Sequence, residues 1–131
     1  MHSNLPQHRA AHMKIIIVED HHFFRELIYK TLISHFPSSE IMSFESSEDA
    51  SAEIRNQHFD VAIVDISLPG ENGLKLTRKI RAIYPDIKII IYTNHNLPEY
   101  REAAFEYGAD QFLSKKDKNP EDLVLSIQSM I

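Results

Sequence analysis

The segment VAIVDISLPGENG, residues 61–73, decides how the rest of this chain is expected to fold. Its first four residues suit a buried strand, and the chain then meets a carboxylate, Asp65, before a turn that contains Pro69, Gly70 and Gly73. Because an apolar run cannot hold a carboxylate inside, we expect Asp65 to lie where the strand emerges from the core. The segment therefore predicts a buried strand that delivers an acid to one edge of a sheet.

Three other segments have the same form, an apolar run that ends in polar residues. They are residues 15–18 followed by Glu19 and Asp20, residues 87–92 followed by Thr93, and residues 111–114 followed by Lys115. Continuous β-branched runs are typical of strands that are covered on both faces, as in a parallel sheet between two layers of helices. The carboxyl ends of parallel strands share one edge, where ligands bind, so these polar side chains are expected to converge.

Helices are predicted between the strands, and a short further strand is predicted at residues 41–44. Apolar spacing and capping residues predict helices over roughly residues 23–36, 46–57, 76–84, 98–107 and 120–130. Pro98 and Pro120 suit the first position of a helix, and Gly108 suits the left-handed position after a helix end. The resulting element order is βαβαβαβαβα.

Strict alternation with right-handed crossovers leaves few topologies for such a chain. We predict an α/β fold with a doubly wound, five-stranded parallel sheet in the order 2-1-3-4-5, a flavodoxin-like three-layer (βα)5 sandwich. The switch point of this order lies between strands 1 and 3. Asp20 and Asp65 therefore become neighbours across the crevice.

The 131 residues are expected to form one domain, over residues 13–131. Residues 1–12 show no hydrophobic period and are predicted to be a disordered tail or an extension left by cloning, with Met13 as the natural start. A net charge of -5 with dispersed basic residues does not favour a nucleic-acid surface. No apolar run approaches the ~18 residues of a membrane span, and the absence of cysteine fits a cytoplasmic location.

The three carboxylates expected at the sheet edge, Glu19, Asp20 and Asp65, require a compensating cation. Two charges ~4 Å apart repel by roughly 4 kcal/mol at an effective dielectric constant of about 20. With oxygen ligands, no cysteine and no convergent histidine pair, Mg²⁺ or Mn²⁺ fits better than zinc. Such an ion leaves room for a phosphoryl oxygen, which Lys115 can neutralise and Thr93 can hydrogen-bond. Asp65 is itself a competent nucleophile toward phosphorus.

Five signals in this order and spacing resemble the receiver domain of two-component response regulators. They are Glu19 and Asp20 after strand 1, Asp65 after strand 3, Pro69 and Gly73 four and eight residues later, Thr93 after strand 4, and Lys115 in the FLSK segment. The resemblance covers about residues 13–131. It implies that a phosphoryl group passes to Asp65 from the phosphohistidine of a histidine kinase or a histidine phosphotransfer protein. It also implies that the domain catalyses its own phosphorylation and dephosphorylation.

The resemblance implies roles for the residues around the acid. The metal ligands would be Asp20, Asp65, the main-chain carbonyl of Ser67 and, through water, Glu19. Thr93 and Phe112 resemble the switch pair of the family, in which the hydroxyl turns toward the phosphoryl group and the ring moves into the space it leaves. Ser67, Asn94 and His95 occupy positions that tend to modulate the rate of phosphate hydrolysis.

The segment SKKD departs from the lysine-proline pair of the best-known receivers. Because a cis bond without proline costs ~3 to 4 kcal/mol, the isomer of the Lys115–Lys116 bond stays open. The same segment, with GADQFL and NPEDL, resembles receivers linked to LuxR-type or NarL-type helix-turn-helix domains. By analogy we expect an excised receiver from a DNA-binding transcription regulator that contacts DNA only through an output domain beyond residue 131. A homodimer through the fourth helix, fifth strand and fifth helix, or through the first and fifth helices, is a further expectation.

Two other classes of function are alternatives. A stand-alone receiver or degenerate interaction module would keep the fold without phosphotransfer, although the intact set of polar residues argues against it. An α/β phosphatase with an aspartyl nucleophile needs a second acid two residues later, where Ser67 stands. For single residues, the ordinary alternatives are a strand-end acid for Asp65, a core aromatic for Phe112, and Lys116 in the place of Lys115.

Overall fold

The structure is a computed structural model, and the residues that it describes are 12–131. The extension predicted for residues 1–12 therefore lies, apart from His12, outside the described residues. The strands within this range are β1 (Lys14–Val18), β2 (Glu40–Phe44), β3 (Val61–Val64), β4 (Lys88–Thr93) and β5 (Gln111–Ser114). The helices are α1 (His22–His35), α2 (Ser47–Asn56), α3 (Gly73–Ile83), α4 (Pro98–Glu106) and α5 (Pro120–Met130).

The strands form one parallel sheet in the order β2-β1-β3-β4-β5, which confirms the predicted topology. Most predicted boundaries agree with the structure to within two residues. The exception is α3, which begins at Gly73 and not near Leu76. The Asn72 side chain causes the earlier start, because its oxygen accepts hydrogen bonds from the main-chain N–H groups of Leu74 and Lys75 at 2.9 and 3.0 Å.

Alternate residues of the strands pack into two separate hydrophobic cores, one on each face of the sheet. In β1, Ile16 and Val18 face the core that α2, α3 and α4 cover, whereas Ile15 and Ile17 face the core that α1 and α5 cover. Both faces of the central strands are therefore buried, which explains why their sequences are continuously apolar.

The helix ends follow from local sequence. Ser46 caps α2 by accepting a hydrogen bond from Asp49 N at 3.2 Å, and Asn119 forms a reciprocal capping box with Asp122 at the start of α5. Gly108, which follows α4, has a φ of +112°, as the sequence predicts. These caps fix the residues at which the chain turns back toward the sheet.

Arg81, near the end of α3, connects three segments at the edge of the sheet opposite to the predicted site. Its guanidinium donates hydrogen bonds to the carbonyl of Ile87 at 2.8 Å and to the carbonyl of Gly108 at 2.8 and 3.1 Å. It also forms an ion pair with Asp110 at 2.9 Å, and the same carboxylate oxygen accepts a hydrogen bond from Ile89 N at 2.8 Å. Arg81 thus holds the loops before β4 and β5 together.

We expect Arg81→Ala to lower the free energy of unfolding by about 2 kcal/mol, because several charge-assisted hydrogen bonds are lost together. Urea denaturation followed by circular dichroism measures the change. Arg78→Ala is the matched control, since the exposed Arg78 guanidinium faces the Tyr107 ring at 5.5 Å and lies on the same helix. Equal midpoints for the two variants would contradict the bridging role of Arg81.

Candidate functional site

A cavity of about 280 Å³ opens at the carboxyl edge of the sheet, beside the switch point between β1 and β3. It is lined by Glu19, Asp20, His21, Phe24, Asp65, Ser67, Asn94, His95 and Lys115. The structure therefore brings together the three predicted acids, the predicted lysine and the three predicted rate-modulating residues. Thr93 lies directly beneath this group, because its side chain bonds to Asp65.

Asp65 directly follows β3, where the sequence placed it, but its side chain is only 8% exposed. The acid thus lies at the strand end and lines the cavity, as predicted, but its carboxylate is buried there. Lys115 Nζ donates a hydrogen bond to Oδ2 at 2.8 Å, Thr93 Oγ1 donates to Oδ1 at 2.6 Å and Ser67 N donates to Oδ1 at 3.2 Å. Pairing with an ammonium and two neutral donors offsets the cost of burying the charge.

Glu19 is the second buried acid of the cavity. Its Oε1 accepts a hydrogen bond from Lys115 Nζ at 2.5 Å, and its Oε2 accepts one from His21 N at 3.1 Å. Burial raises the pKa of Glu19 above its usual value, and the hydrogen bond from Lys115 opposes that shift. One ammonium therefore bridges two carboxylates that would otherwise repel each other.

Asp20, although adjacent in sequence to Glu19, is exposed at the mouth of the cavity. Among the described residues its carboxylate has no hydrogen-bond or ion-pair partner, whereas its main-chain carbonyl accepts a bond from Arg25 Nη1 at 3.4 Å. Asp20 therefore has both carboxylate oxygens available to a ligand in the cavity.

The side chains of the cavity can serve a hard cation, since three carboxylates line it and thiols are absent from the sequence. Within residues 12–131, however, no three histidine, aspartate or glutamate side chains already stand close enough to share one ion. The Lys115 ammonium instead neutralises Glu19 and Asp65 in this arrangement. A cation would use Asp20 together with oxygens that Lys115 does not occupy.

Lys115 follows β5, and its side chain is 4% exposed, whereas the neighbouring Lys116 is exposed to solvent. The alternative that Lys116 occupies the site therefore does not hold. Every peptide bond of the described chain is trans, including the Lys115–Lys116 bond.

The predicted switch residues lie on neighbouring strands. Thr93 is fully buried at the end of β4, and its Oγ1 accepts a hydrogen bond from His95 N at 3.2 Å while it donates to Asp65. Phe112 is buried in β5 opposite Ile91, and the guanidinium of Arg101 lies 5.6 Å from its ring centroid. Phe112 thus occupies a core position in this structure, and its movement stays a prediction.

Phe24 and Tyr92 belong to the site although their sequence positions do not indicate it. The apolar spacing of α1 placed Phe24 on its core face, and Tyr92 was one residue of an apolar strand. In the structure Phe24 lines the cavity, and the Tyr92 ring packs edge to face against it with centroids 5.7 Å apart. The Tyr92 hydroxyl donates to the carbonyl of Lys118 at 2.8 Å, and burial raises its pKa to about 12.

Fold and cavity together define an α/β domain with a buried carboxylate–ammonium–hydroxyl group at the carboxyl edge of a doubly wound sheet. The sequence model of the family described as "response regulator receiver domain" matches residues 15–128. The chain therefore belongs to the response regulator receiver family, as its residues predicted.

Several relatives show which proteins contain similar domains. The response regulator UvrY of Escherichia coli K12 is 31% identical over 118 residues, which are 90% of this chain and 54% of that protein. A cyclic di-GMP phosphodiesterase of Thermotoga maritima is 34% identical over 88% of this chain and 30% of its own length. The chain spans about half the length of most of the curated relatives it matches, or less.

Solved structures agree with this assignment. The crystal structure of a LuxR-family DNA-binding response regulator from Staphylococcus aureus superposes with a TM-score of 0.82 and 30% identity, covering 90% of this chain and 98% of that one.

No helix within residues 12–131 is long and apolar enough to cross a membrane.

Proposed function

We propose that this domain is a phosphorylation-activated signalling switch. Asp65 accepts a phosphoryl group from the phosphohistidine of a histidine kinase or a histidine phosphotransfer protein. The observation that carries the proposal is the environment of the Asp65 carboxylate, which is held between the Lys115 ammonium and the Thr93 hydroxyl at 2.8 and 2.6 Å in an open cavity. A solitary structural acid would not need both groups.

Each side chain then has a role in the transfer. A carboxylate oxygen of Asp65 attacks phosphorus as the bond to the donor imidazole breaks, and the electron pair of that bond stays on the imidazole nitrogen, which takes a proton from water. Lys115 neutralises charge on the transferred group as a point cation, and Thr93 donates a hydrogen bond to it. Burial of Asp65 strengthens both interactions, because the local dielectric constant is lower than that of water.

Mg²⁺ is the proposed cofactor, with Mn²⁺ as a substitute. Asp20, Asp65, the main-chain carbonyl of Ser67 and, through water, Glu19 would hold it. When bound, it would neutralise the phosphoryl oxygens together with Lys115. The free carboxylate of Asp20 and the oxygen-only chemistry of these ligands support this assignment.

Thr93 and Phe112 would couple phosphorylation of Asp65 to a conformational change at the surface of the domain. We propose that the Thr93 hydroxyl turns toward the phosphoryl group and that the Phe112 ring moves into the space it leaves, which alters the surface of α4, β5 and α5. Exposed apolar residues support two dimer faces, one with Leu97, which directly precedes α4, and Phe105 on α4, and the other with Phe23 on α1 and Leu125 on α5. Ser67, Asn94 and His95, which line the cavity, would set the lifetime of the phosphate.

A cytoplasmic transcription regulator is the proposed setting for this domain. The similarity to UvrY and to the LuxR-family structure supports a DNA-binding output, which would lie outside this domain because its own net charge is -5. The similarity to the T. maritima phosphodiesterase favours a second candidate, an enzymatic output domain. The proposed switch is the same in both cases.

Incubation with acetyl phosphate and Mg²⁺ tests the proposal. We expect intact-mass spectrometry to show one added phosphoryl group, peptide mapping to place it on Asp65, and hydroxylamine to remove it, as it removes acyl phosphates. Chelation of the metal with EDTA should abolish the incorporation. If neither acetyl phosphate nor a phosphohistidine donor labels the chain, the domain is an interaction module that kept only the fold.

A further inference from the structure

The Lys115 ammonium has a neighbour that the proposed mechanism does not use, the aromatic ring of Phe24. Nζ lies 4.3 Å from the centroid of this ring and 5.8 Å from the centroid of Tyr92. The planes of the two rings meet at 65°. The ammonium is therefore surrounded by two carboxylates and two aromatic side chains.

The hydrogen bonds of Lys115 leave one N–H group for the ring. An ammonium has three N–H donors, and two of them bond to Glu19 and Asp65. Among the described residues no third hydrogen-bond acceptor reaches Nζ, and the side chain is only 4% exposed, so water has little access. The negative face of an aromatic ring attracts a cation and satisfies this remaining donor.

The start of α1 fixes the position of Phe24 relative to the acids. Phe24 N donates to His21 Nδ1 at 3.4 Å, and His21 N donates to Glu19 Oε2 at 3.1 Å. The ring, the helix cap and the carboxylate that binds Lys115 are therefore linked within six residues of chain. Phe23, the preceding residue, is 68% exposed and does not line the cavity.

We propose that Phe24 is a positioning residue for Lys115. Its ring holds the ammonium toward Asp65 through a cation–π contact, so that the cation already faces the acid when a phosphoryl group arrives. The inference rests on the proposed function, because it assigns Phe24 a part in the same transfer. Leucine at this position would fill much of the volume but would offer the cation no negative ring face.

Progressive fluorination of the ring tests the contact itself. Mono-, di- and trifluorophenylalanine at position 24 keep the ring shape and weaken its negative face step by step. We expect the folding equilibrium constant from urea denaturation to fall by about ten-fold across the series, within the usual range of a desolvated cation–π contact. The same series at Phe23 should have no effect, and the series at Phe24 should also have none in a Lys115→Met background. The proposal is overturned if the folding equilibrium constant does not change across the Phe24 series while Lys115 is present.

Two further measurements separate a positioning role from a purely structural one. In wild-type protein the Lys115 ε-methylene protons should show an upfield ring-current shift that Phe24→Leu removes. The rate constant for phosphorylation by acetyl phosphate should fall across the fluorinated series by about three-fold or more, in parallel with stability. An unchanged rate constant overturns the role in transfer. If the wild-type chain takes up no phosphate, the proposed function fails, and the presence or absence of the ring-current shift then decides whether Phe24 positions Lys115.

Discussion

Asp65→Asn is expected to reduce phosphoryl incorporation from acetyl phosphate by at least about a thousand-fold, because an amide has no nucleophilic oxygen comparable with a carboxylate. The side chain keeps its size, and its remaining oxygen can still accept the hydrogen bonds that Thr93 and Ser67 donate to Oδ1. The amide nitrogen replaces the oxygen that Lys115 contacts, but Lys115 retains Glu19. The variant should therefore stay folded, with a change in unfolding free energy of about 1 to 2 kcal/mol.

The control for this prediction is Asp86→Asn, which changes an exposed aspartate in the loop between α3 and β4. Phosphoryl incorporation into this variant should equal that into the wild-type chain at the same Mg²⁺ concentration. Gel separation of phosphorylated and unphosphorylated protein, with circular dichroism to confirm the fold, measures both variants. If Asp65→Asn were phosphorylated to the wild-type level, the acceptor would have to be another residue, and the proposed mechanism would be contradicted.

The fold could be predicted from the sequence because its strands carry an unambiguous pattern. The run of Ile15, Ile16, Ile17 and Val18 is apolar and β-branched at every position, which favours a strand buried on both faces. Strands of this kind in β1, β3 and β4, with the shorter β2 and β5 and the helices between them, leave few topologies, and the order 2-1-3-4-5 follows from the usual connection rules. The polar residues after β1, β3, β4 and β5 then had to meet at one edge.

The detailed contacts of the cavity could not be predicted in the same way. Glu19 and Asp20 are adjacent acids, and the sequence does not show that the first is buried on Lys115 while the second is exposed. The ring of Phe24 lies over Lys115, 91 positions away in sequence numbering, and helical periodicity alone assigned it to the core. Such contacts depend on side-chain rotamers and on the angle at which a helix leaves the sheet, and neither has a local sequence signal.

Gly73→Ala is expected to cause the largest loss of stability of these substitutions, about 3 kcal/mol or more. A β-carbon at this position would lie 1.9 Å from the carbonyl oxygen of Asp65 and 2.9 Å from Val64 Cγ1. Helix propensity alone favours alanine over glycine by up to about 1 kcal/mol, but a backbone overlap of this size outweighs that gain. Urea denaturation measures the difference, and a variant as stable as the wild type would show that propensity dominates.

Gly70→Ala separates this steric effect from the general cost of replacing a glycine. Gly70 has a φ of +72°, so alanine there is strained by about 1 to 2 kcal/mol, but the atoms it would meet belong to the Glu48 carboxylate, which can move away. At Gly73 the two nearest atoms in the way, at 1.9 and 2.7 Å, belong to the main chain of the proposed phosphoacceptor itself. Relief of the overlap must therefore displace Asp65 from Lys115 and Thr93. We expect the phosphorylation rate constant of Gly73→Ala to fall by at least about ten-fold, measured under conditions in which the variant is still folded. Gly70→Ala should keep the wild-type rate constant, because its strain does not reach Asp65.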